Sequence, residues 1–251
     1  GRKALLIITP TGTGWVDPAA IDGIEYLYRG DVASIAVQYS YLSSPLTLLL
    51  DPETGAVNER VREVVELVRK LSPKTQVWVT SMAWQTSDGS GDGGLPESVQ
   101  ADYLARGKVL CLAAGADRVS DRLIGTLTVR NSAGTVYHVN PRKLIRVMGE
   151  LPPLPNWFLK PSFLTVRTAN EMLDGTGFIE ETLLADSRPR LSRAYLFEAG
   201  TNGLMAVLWR RRGTSAMDIA GLPAPVRGCD AYGNPLDLRA RITLSPSPCY
   251  L

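Results

Sequence analysis

The chain has 251 residues, of which 45% are hydrophobic and 21% charged, proportions that are typical of an ordinary globular protein. Its net charge of +2 gives no electrostatic basis for binding nucleic acid or a membrane surface. No apolar run approaches the roughly 18 residues that a membrane-spanning helix needs. Cys111, Cys229 and Cys249 are spaced too widely for a disulfide framework or a zinc site.

The first part of the chain alternates between predicted strands and predicted helices. Continuous apolar runs are typical of parallel strands that are covered on both faces, and apolar residues at helical spacing predict amphipathic helices. The predicted strands are Ala4–Thr9, Val32–Gln38, Val77–Thr80 and Ala116–Val119, and the predicted helices begin at Pro18, Val57 and Pro96.

The pattern changes in the second part of the chain. Residues 120–160 contain four prolines and are predicted to be irregular, and Pro161–Leu173 is predicted to be a helix. Short runs between Gly and Pro turns then predict an antiparallel sandwich. The predicted strands are Gly177–Leu184, Ala194–Glu198, Leu204–Trp209, Ser215–Ile219, Val226–Ala231 and Arg241–Leu244. The fold class is therefore α/β followed by all-β, with domains 1–175 and 176–251.

Three segments together resemble the last quarter of a retaining (β/α)8-barrel glycoside hydrolase. They are VWVTSMAWQTS from residue 77, SVQADYLARGKVLCLAAGADRV from residue 98 and KPSFLTVRTANEMLDG from residue 160. The end of the chain is similar to the small β-sandwich that often follows such barrels, so the resemblance covers residues 74–251. It implies a partial TIM-barrel-like domain with a small C-terminal antiparallel β-sandwich, and a carbohydrate ligand.

The same resemblance implies where catalytic groups would lie. In that superfamily the seventh strand ends in Thr and Glu, and this chain has Thr80 and Ser81 there. Retaining hydrolysis needs two carboxyl groups roughly 5 Å apart, and a serine hydroxyl without a neighbouring base does not replace one. The resemblance thus implies a degenerate protein that acts on or binds carbohydrate. Asp121, after the eighth strand, is the best-placed substitute, because barrel enzymes carry catalytic residues at the C-terminal ends of strands.

Aromatic residues are the candidates for binding sugar. Trp84 follows the seventh strand, and the C–H faces of sugars pack on such rings; packing in the core is an equally open interpretation. Gln38, Tyr39 and Tyr41 hold the place where the sixth strand of such enzymes ends in a sugar-contacting His or Tyr. For the two tyrosines core packing is favoured.

A second segment, residues 9–46, resembles an α/β-hydrolase-like bacterial family. That resemblance implies a nucleophile elbow at Ser81, with His138 as the base and Asp117 or Asp121 as the acid. An elbow needs Gly two residues before and after the serine, and this chain has Val and Ala there. A serine hydrolase therefore stays the alternative enzyme, and a non-catalytic sugar-binding or structural module is the third interpretation.

No cofactor and no metal site is predicted. Thr11–Gly14 lacks the Lys of a phosphate-binding loop, and His138, with no second His or Cys near it, is interpreted as a solvated loop residue. A closed barrel takes about 250 residues, so we expect either a partner chain that covers an open sheet or a missing N-terminal half. The N-terminus lacks a signal peptide's pattern, and an extracellular or cytoplasmic location stays open.

Overall fold

The chain forms two compact units in the computed structural model. One contains Gly1–Met82 and Leu110–Arg122, and the other Ala83–Val109 and Leu123–Leu251. The division predicted at residue 175 falls inside the second unit and stays a prediction about domains. The described residues are 3–8, 16, 18–36, 56–82, 84, 86, 94–121, 126–130, 136–139, 144–148, 156–184, 191–200, 203–219, 227–238 and 241–251.

A parallel sheet forms the centre of the first unit. In chain order the elements are β1 (Ala4–Ile8), α1 (Pro18–Leu27), β2 (Val32–Ala36), α2 (Ala56–Leu71), β3 (Gln76–Met82), α3 (Glu97–Ala113) and β4 (Arg118–Asp121). The strand order is β2-β1-β3-β4, and all three pairs are parallel. In β1 the successive residues Leu5 and Leu6 are 8% and 1% exposed, so this strand is covered on both faces, as its apolar run predicts. In β3 one face is buried at Val77 and Val79, which are at most 2% exposed, and Trp78 on the other face is half-buried.

The order of the first two strands corrects one assignment made from the sequence. Strands follow one another around a (β/α)8 barrel. If residues 31–41 were the sixth strand, Ala4–Thr9 would be the fifth, and residues 31–41 would lie between it and the seventh strand. Instead β1 pairs with both β2 and β3. The sequence pattern shows that a strand is buried and parallel, but it does not show on which side of its predecessor it pairs. β3 and β4, which lie within the glycoside hydrolase resemblance, are neighbours as expected.

A glycine turn leads from α3 into β4. Gly115 has a φ of +94°, and its N–H donates to the carbonyl of Leu112 while that of Ala116 donates to Cys111, which is a Schellman motif. A Cβ at Gly115 would lie 2.9 Å from the Cγ1 of Val65. Both conformation and space therefore require glycine at this helix end.

Residues 120–160 were predicted to be irregular, but the described part of this stretch contributes a four-stranded sheet to the second unit. Its strands are β5 (Thr126–Arg130), β6 (Val136–Val139), β7 (Ile145–Met148) and β8 (Asn156–Leu159), in the order β6-β5-β7-β8. The four prolines fall between these strands and never within one, so they interrupt the pattern without blocking the hydrogen bonds. Strands of four or five residues are too short for their period to stand out.

A helix and six antiparallel strands complete the second unit. They are α4 (Pro161–Leu173), β9 (Thr176–Leu183), β10 (Ser192–Ala199), β11 (Gly203–Arg210), β12 (Ser215–Asp218), β13 (Arg241–Leu244) and β14 (Cys249–Tyr250). A sheet of order β14-β11-β10-β9 and the pair β12-β13 share one apolar cluster that includes Ala194, Leu208, Ile242 and Leu244. The predicted fold class, α/β followed by antiparallel all-β, is confirmed.

Two details of the C-terminal strands differ from the prediction. Val226–Ala231 is not a described strand, since Cys229 makes only isolated bridges, to Pro235 and to Tyr250. The short strand β14 was not predicted, because two residues carry no period. No helix in the described part of the chain is both long enough and apolar enough to cross a membrane.

Tyr250 is the most deeply buried tyrosine of the C-terminal sheet. It is 0% exposed, pairs with Val207 of β11, and exchanges two backbone hydrogen bonds of 2.9 Å with Cys229. Its hydroxyl has no hydrogen-bond partner among the described residues. Burial raises the pKa of the Tyr250 phenol above its ordinary value, and burial raises the pKa of the Cys249 thiol from 9.0 to about 12.

We expect alkaline pH to destabilise the C-terminal sheet through these groups. A group whose pKa is higher in the folded protein than in the unfolded chain stabilises the fold fully at pH values below the unfolded pKa. That stabilisation is lost as pH rises through the folded pKa. The contribution of these groups to the free energy of unfolding should therefore be constant below pH 9 and fall between about pH 9 and pH 12. Tyr250→Phe should cost nothing or add up to about 1 kcal/mol at pH 7, since it removes an unpaired buried hydroxyl, and it should flatten the alkaline fall.

Urea unfolding across this pH range measures both effects. Tyr26→Phe, at a residue that is 84% exposed, controls for the loss of one phenol. A loss above about 1.5 kcal/mol in Tyr250→Phe at pH 7 would instead mean that the hydroxyl forms a hydrogen bond.

Candidate functional site

Ser81 and Asp121 lie at the carboxyl edge of the parallel sheet. Ser81 is the last residue but one of β3, and Asp121 is the last residue of β4. The Cα partner of Asp121 is Met82, the residue after Ser81. The structure thus brings together the backbones of the two residues that the sequence predicted as catalytic.

An irregularity in the strand pairing falls at this point. Val79 pairs with Val119 and Met82 pairs with Asp121, so β3 takes three steps where β4 takes two. The extra residue falls across Thr80 and Ser81. Such bulges are over-represented next to active sites, where they change the direction of a side chain and end the pairing.

The described strand ends supply one carboxylate to this edge. β1, β2 and β3 end in Ile8, Ala36 and Met82, and Asp121 ends β4. Double displacement at a sugar carbon needs two carboxyl groups. Among the described strand ends, Asp121 is thus the single carboxylate, and Ser81 lies one residue before the end of β3.

The predicted sugar contacts on the first unit fall outside the described residues. Gln38, Tyr39 and Tyr41 follow β2 directly in the sequence, and they stay predictions.

Asp117 lies at the opposite edge of the sheet from Ser81. Its carboxylate accepts two hydrogen bonds from the guanidinium of Arg69, at 2.9 and 2.8 Å. It also accepts one from the N–H of Val77, at 2.6 Å. Ser81 is four residues further along β3, about 13 Å away at the rise of a strand. Asp117 therefore holds α2 and β3 together at the residue that precedes β4, and its alternative role as the acid of a triad stays a prediction.

Trp84 belongs to the second unit and is held by α3. Its half-buried ring meets the ring of Tyr103 edge to face, with centroids 5.7 Å apart. The amide of Gln100 donates to the Trp84 carbonyl at 2.6 Å, and the guanidinium of Arg106 lies 5.3 Å from the centre of the Tyr103 ring. Trp84 is thus a half-buried residue whose ring packs on Tyr103, and its role in binding sugar stays a prediction.

These contacts explain the motif that carried the resemblance. Gln100, Tyr103 and Arg106 are the Gln, Tyr and Arg of QADYLAR, and each has a contact that leads to Trp84. Sequence reasoning used the motif but missed the role of Gln100, which is 0% exposed. The feature of the sequence that could have indicated this role is the distribution of polar residues over all sides of α3. Such a distribution is expected when a buried helix forms hydrogen bonds on several sides.

His138 lies in β6 of the second unit, so its interpretation as a loop residue is wrong. β6 pairs only with β5 among the described strands. Ser81 belongs to the first unit, and the proposed Ser–His pair stays a prediction. Among the described residues no group of three or more His, Cys, Asp or Glu is arranged to hold a metal ion.

Comparison with known proteins gives two separate likenesses, one to a family model and one to solved structures. A family model described as an alpha/beta-hydrolase family matches residues 1–77. The fold is similar to that of SrfJ from Salmonella typhimurium, with 9% identity, a TM-score of 0.44, and coverage of 91% of this chain and 49% of the other. No curated protein matches the chain.

Two further solved structures are glycosidases by their names. A GH51 arabinofuranosidase from Xanthomonas axonopodis pv. citri has 13% identity and a TM-score of 0.46, over 79% of this chain and 47% of the other. An endo-β1,6-glucanase has 9% identity and a TM-score of 0.42, over 91% of this chain and 50% of the other. The chain spans about half the length of the solved structures that it matches.

We expect Asp117→Asn to destabilise the first unit by about 1–2 kcal/mol, because it breaks a charged hydrogen bond to Val77 and an ion pair with Arg69. The expected loss of stability is small because the side chains of Asp117 and Arg69 are 31% and 35% exposed, so solvent screens the ion pair. Urea unfolding measures it. Asp31→Asn is the matched control, since its partner Lys3 lies 3.9 Å away and is 77% exposed, and it should cost less than about 0.5 kcal/mol. Equal losses in the two variants would contradict this role of Asp117.

Proposed function

We propose that this chain is a degenerate glycoside-hydrolase-like protein that binds carbohydrate. The observation that carries the proposal is the pair Ser81 and Asp121 at the carboxyl edge of β3 and β4. Barrel enzymes carry catalytic groups at that edge, and the sequence resemblance sets Ser81 where such enzymes have a glutamate.

The chemistry of this pair favours binding over hydrolysis. A serine hydroxyl carries no charge near neutral pH and does not stabilise an oxocarbenium ion as a carboxylate does. Asp121 could accept hydrogen bonds from sugar hydroxyl groups, which a single carboxylate does well. Trp84, a half-buried residue of the second unit, is a separate candidate contact, because sugar C–H groups pack on aromatic rings.

The proposal includes further polypeptide beside β2, either a partner chain or an N-terminal half. β2 is the outer strand of the described sheet, and Ile35 on it is 38% exposed. Leu27, on the neighbouring α1, is 76% exposed. Exposed backbone edges and apolar side chains are what an additional strand covers.

Calorimetric titration with a panel of neutral oligosaccharides tests the proposal. We expect Trp84→Ala to weaken binding by about tenfold, the value of one aromatic contact, with little change in the melting temperature. Trp78→Phe, at a half-buried indole near the other end of β3, is the control and should bind like the parent protein.

Aryl glycosides test the degenerate character separately. We expect no turnover above that of the Asp121→Asn variant. Turnover that disappears in Asp121→Asn would make Asp121 catalytic and the protein an active glycosidase, and absence of any glycan binding would reject the carbohydrate proposal.

A serine hydrolase is the second candidate, and the strand order favours it. The connections from β1 and β3 lead to opposite sides of the sheet, since β1 is followed by β2 and β3 by β4 in the order β2-β1-β3-β4. Ligands of open parallel sheets bind outside the carboxyl ends at such a switch point. Ser81 is at the end of one of the two strands that flank it, and residues 1–77 match an alpha/beta-hydrolase family.

Reaction with a fluorophosphonate separates the two candidates. A serine hydrolase should be labelled at Ser81, with the modified peptide identified by mass spectrometry. Ser81→Ala should abolish the label, whereas Ser34→Ala, at an exposed serine of β2, should keep it. An unlabelled parent protein would reject the serine hydrolase.

A further inference from the structure

Two residues that follow β3 are each tied to a helix by a buried polar side chain. The amide of Gln100 donates to the carbonyl of Trp84 at 2.6 Å, and the ammonium group of Lys160 donates to the hydroxyl of Thr86 at 3.0 Å. Ser162 in turn donates to the amide oxygen of Gln100 at 2.9 Å. A relay therefore runs from α4 through α3 to the backbone of Trp84.

Every donor in this relay is removed from solvent. Gln100 and Ser162 are 0% exposed and Lys160 is 2% exposed. Hydrogen bonds are stronger in such surroundings, and the loss of one partner leaves a buried polar group that costs the full desolvation penalty. The Trp84 carbonyl is thus held in one orientation without help from a ligand.

The same helix face also supports the ring. Gln100 and Tyr103 are three residues apart on α3, so they lie on one face of the helix. Gln100 holds the backbone of Trp84, and Tyr103 packs against its indole at an interplanar angle of 68°. Backbone and ring are thereby oriented by one rigid element.

We propose that Gln100 is a positioning residue that sets the orientation of the Trp84 ring before any ligand binds. A ligand that packs on a ring already in place does not lose free energy in ordering it. Only the benefit to a carbohydrate ligand rests on the proposed function; the orientation of the ring does not. A Gln100 that merely filled the core would affect stability without any specific effect at Trp84.

Fluorine NMR of protein labelled with 5-fluorotryptophan tests this directly. The chain has five tryptophans, and the Trp84 resonance is the one that Trp84→Phe removes. Gln100→Met keeps the length and burial of the side chain but removes the amide. We expect the Trp84 resonance to move or split in this variant while the other four keep their positions.

Thr165→Val is the matched control. Thr165 is 0% exposed and also joins the two helices, since its hydroxyl lies 3.2 Å from the carbonyl of Ala101. It should leave the Trp84 resonance in place. An unmoved Trp84 resonance in Gln100→Met, or an equal change in the control, would overturn the proposal.

A milder variant covers the case in which Gln100→Met does not fold. Ser162→Ala removes only the hydroxyl that holds the Gln100 amide, and it should move the Trp84 resonance in the same direction by a smaller amount. An unchanged resonance would count against the relay.

Ligand binding separates this proposal from the proposed function. If a glycan binds, Gln100→Met should weaken it by about two- to tenfold, the cost of ordering one side chain. A displaced Trp84 resonance with unchanged affinity would overturn the role in binding. A displaced resonance with no glycan bound would reject the carbohydrate function and leave the positioning of Trp84 standing.

Discussion

Parallel pairing of β1, β3 and β4 is the constraint on which the candidate site depends. Because the strands run in one direction, their carboxyl ends share one edge, and residues 40 positions apart in the sequence become neighbours there. The clamp of Asp117 on Val77 and Arg69 secures the other edge. The Schellman turn at Gly115 then returns the chain from α3 into β4. In this register Asp121 pairs with Met82, the residue after Ser81.

The candidate site lies at the carboxyl edge of the sheet, where the described ends of β3 and β4 carry Ser81 and Asp121. The bulge across Thr80 and Ser81 interrupts a pairing that is otherwise regular, which is the kind of departure that proteins keep at functional positions. One hydroxyl and one carboxylate are suited to hydrogen bonding with a polar ligand. They do not make the carboxylate pair of a retaining glycosidase.

The two sequence resemblances overlap at β3. The alpha/beta-hydrolase family model matches residues 1–77, and the glycoside hydrolase resemblance in the sequence begins at residue 74. In the structure β1 and β2 are not placed as consecutive barrel strands, whereas β3 and β4 are neighbours. Ser81 lies beyond the residues that the family model matches, so its chemical role stays a prediction.

Much of the fold could be predicted from local pattern. The apolar runs of β1 and β3, the helix that ends before Gly115 and the short C-terminal strands all follow from period and turn residues, since these depend on neighbours in the chain. The strands β5–β8, of four or five residues each, were not predicted, because they are too short to show a period. The sequence also did not predict on which side of β1 the strand β2 pairs, because both arrangements bury the same residues.

The sequence by itself determined the order of α/β and all-β parts, and it singled out Ser81, Asp121 and Trp84. Tertiary structure decided which of these share an edge, that Asp117 holds the sheet together, and that Gln100 orients Trp84. The reason is physical: secondary structure depends on contacts within a few residues, whereas a register between strands or a hydrogen bond from a buried helix joins residues that the sequence leaves far apart.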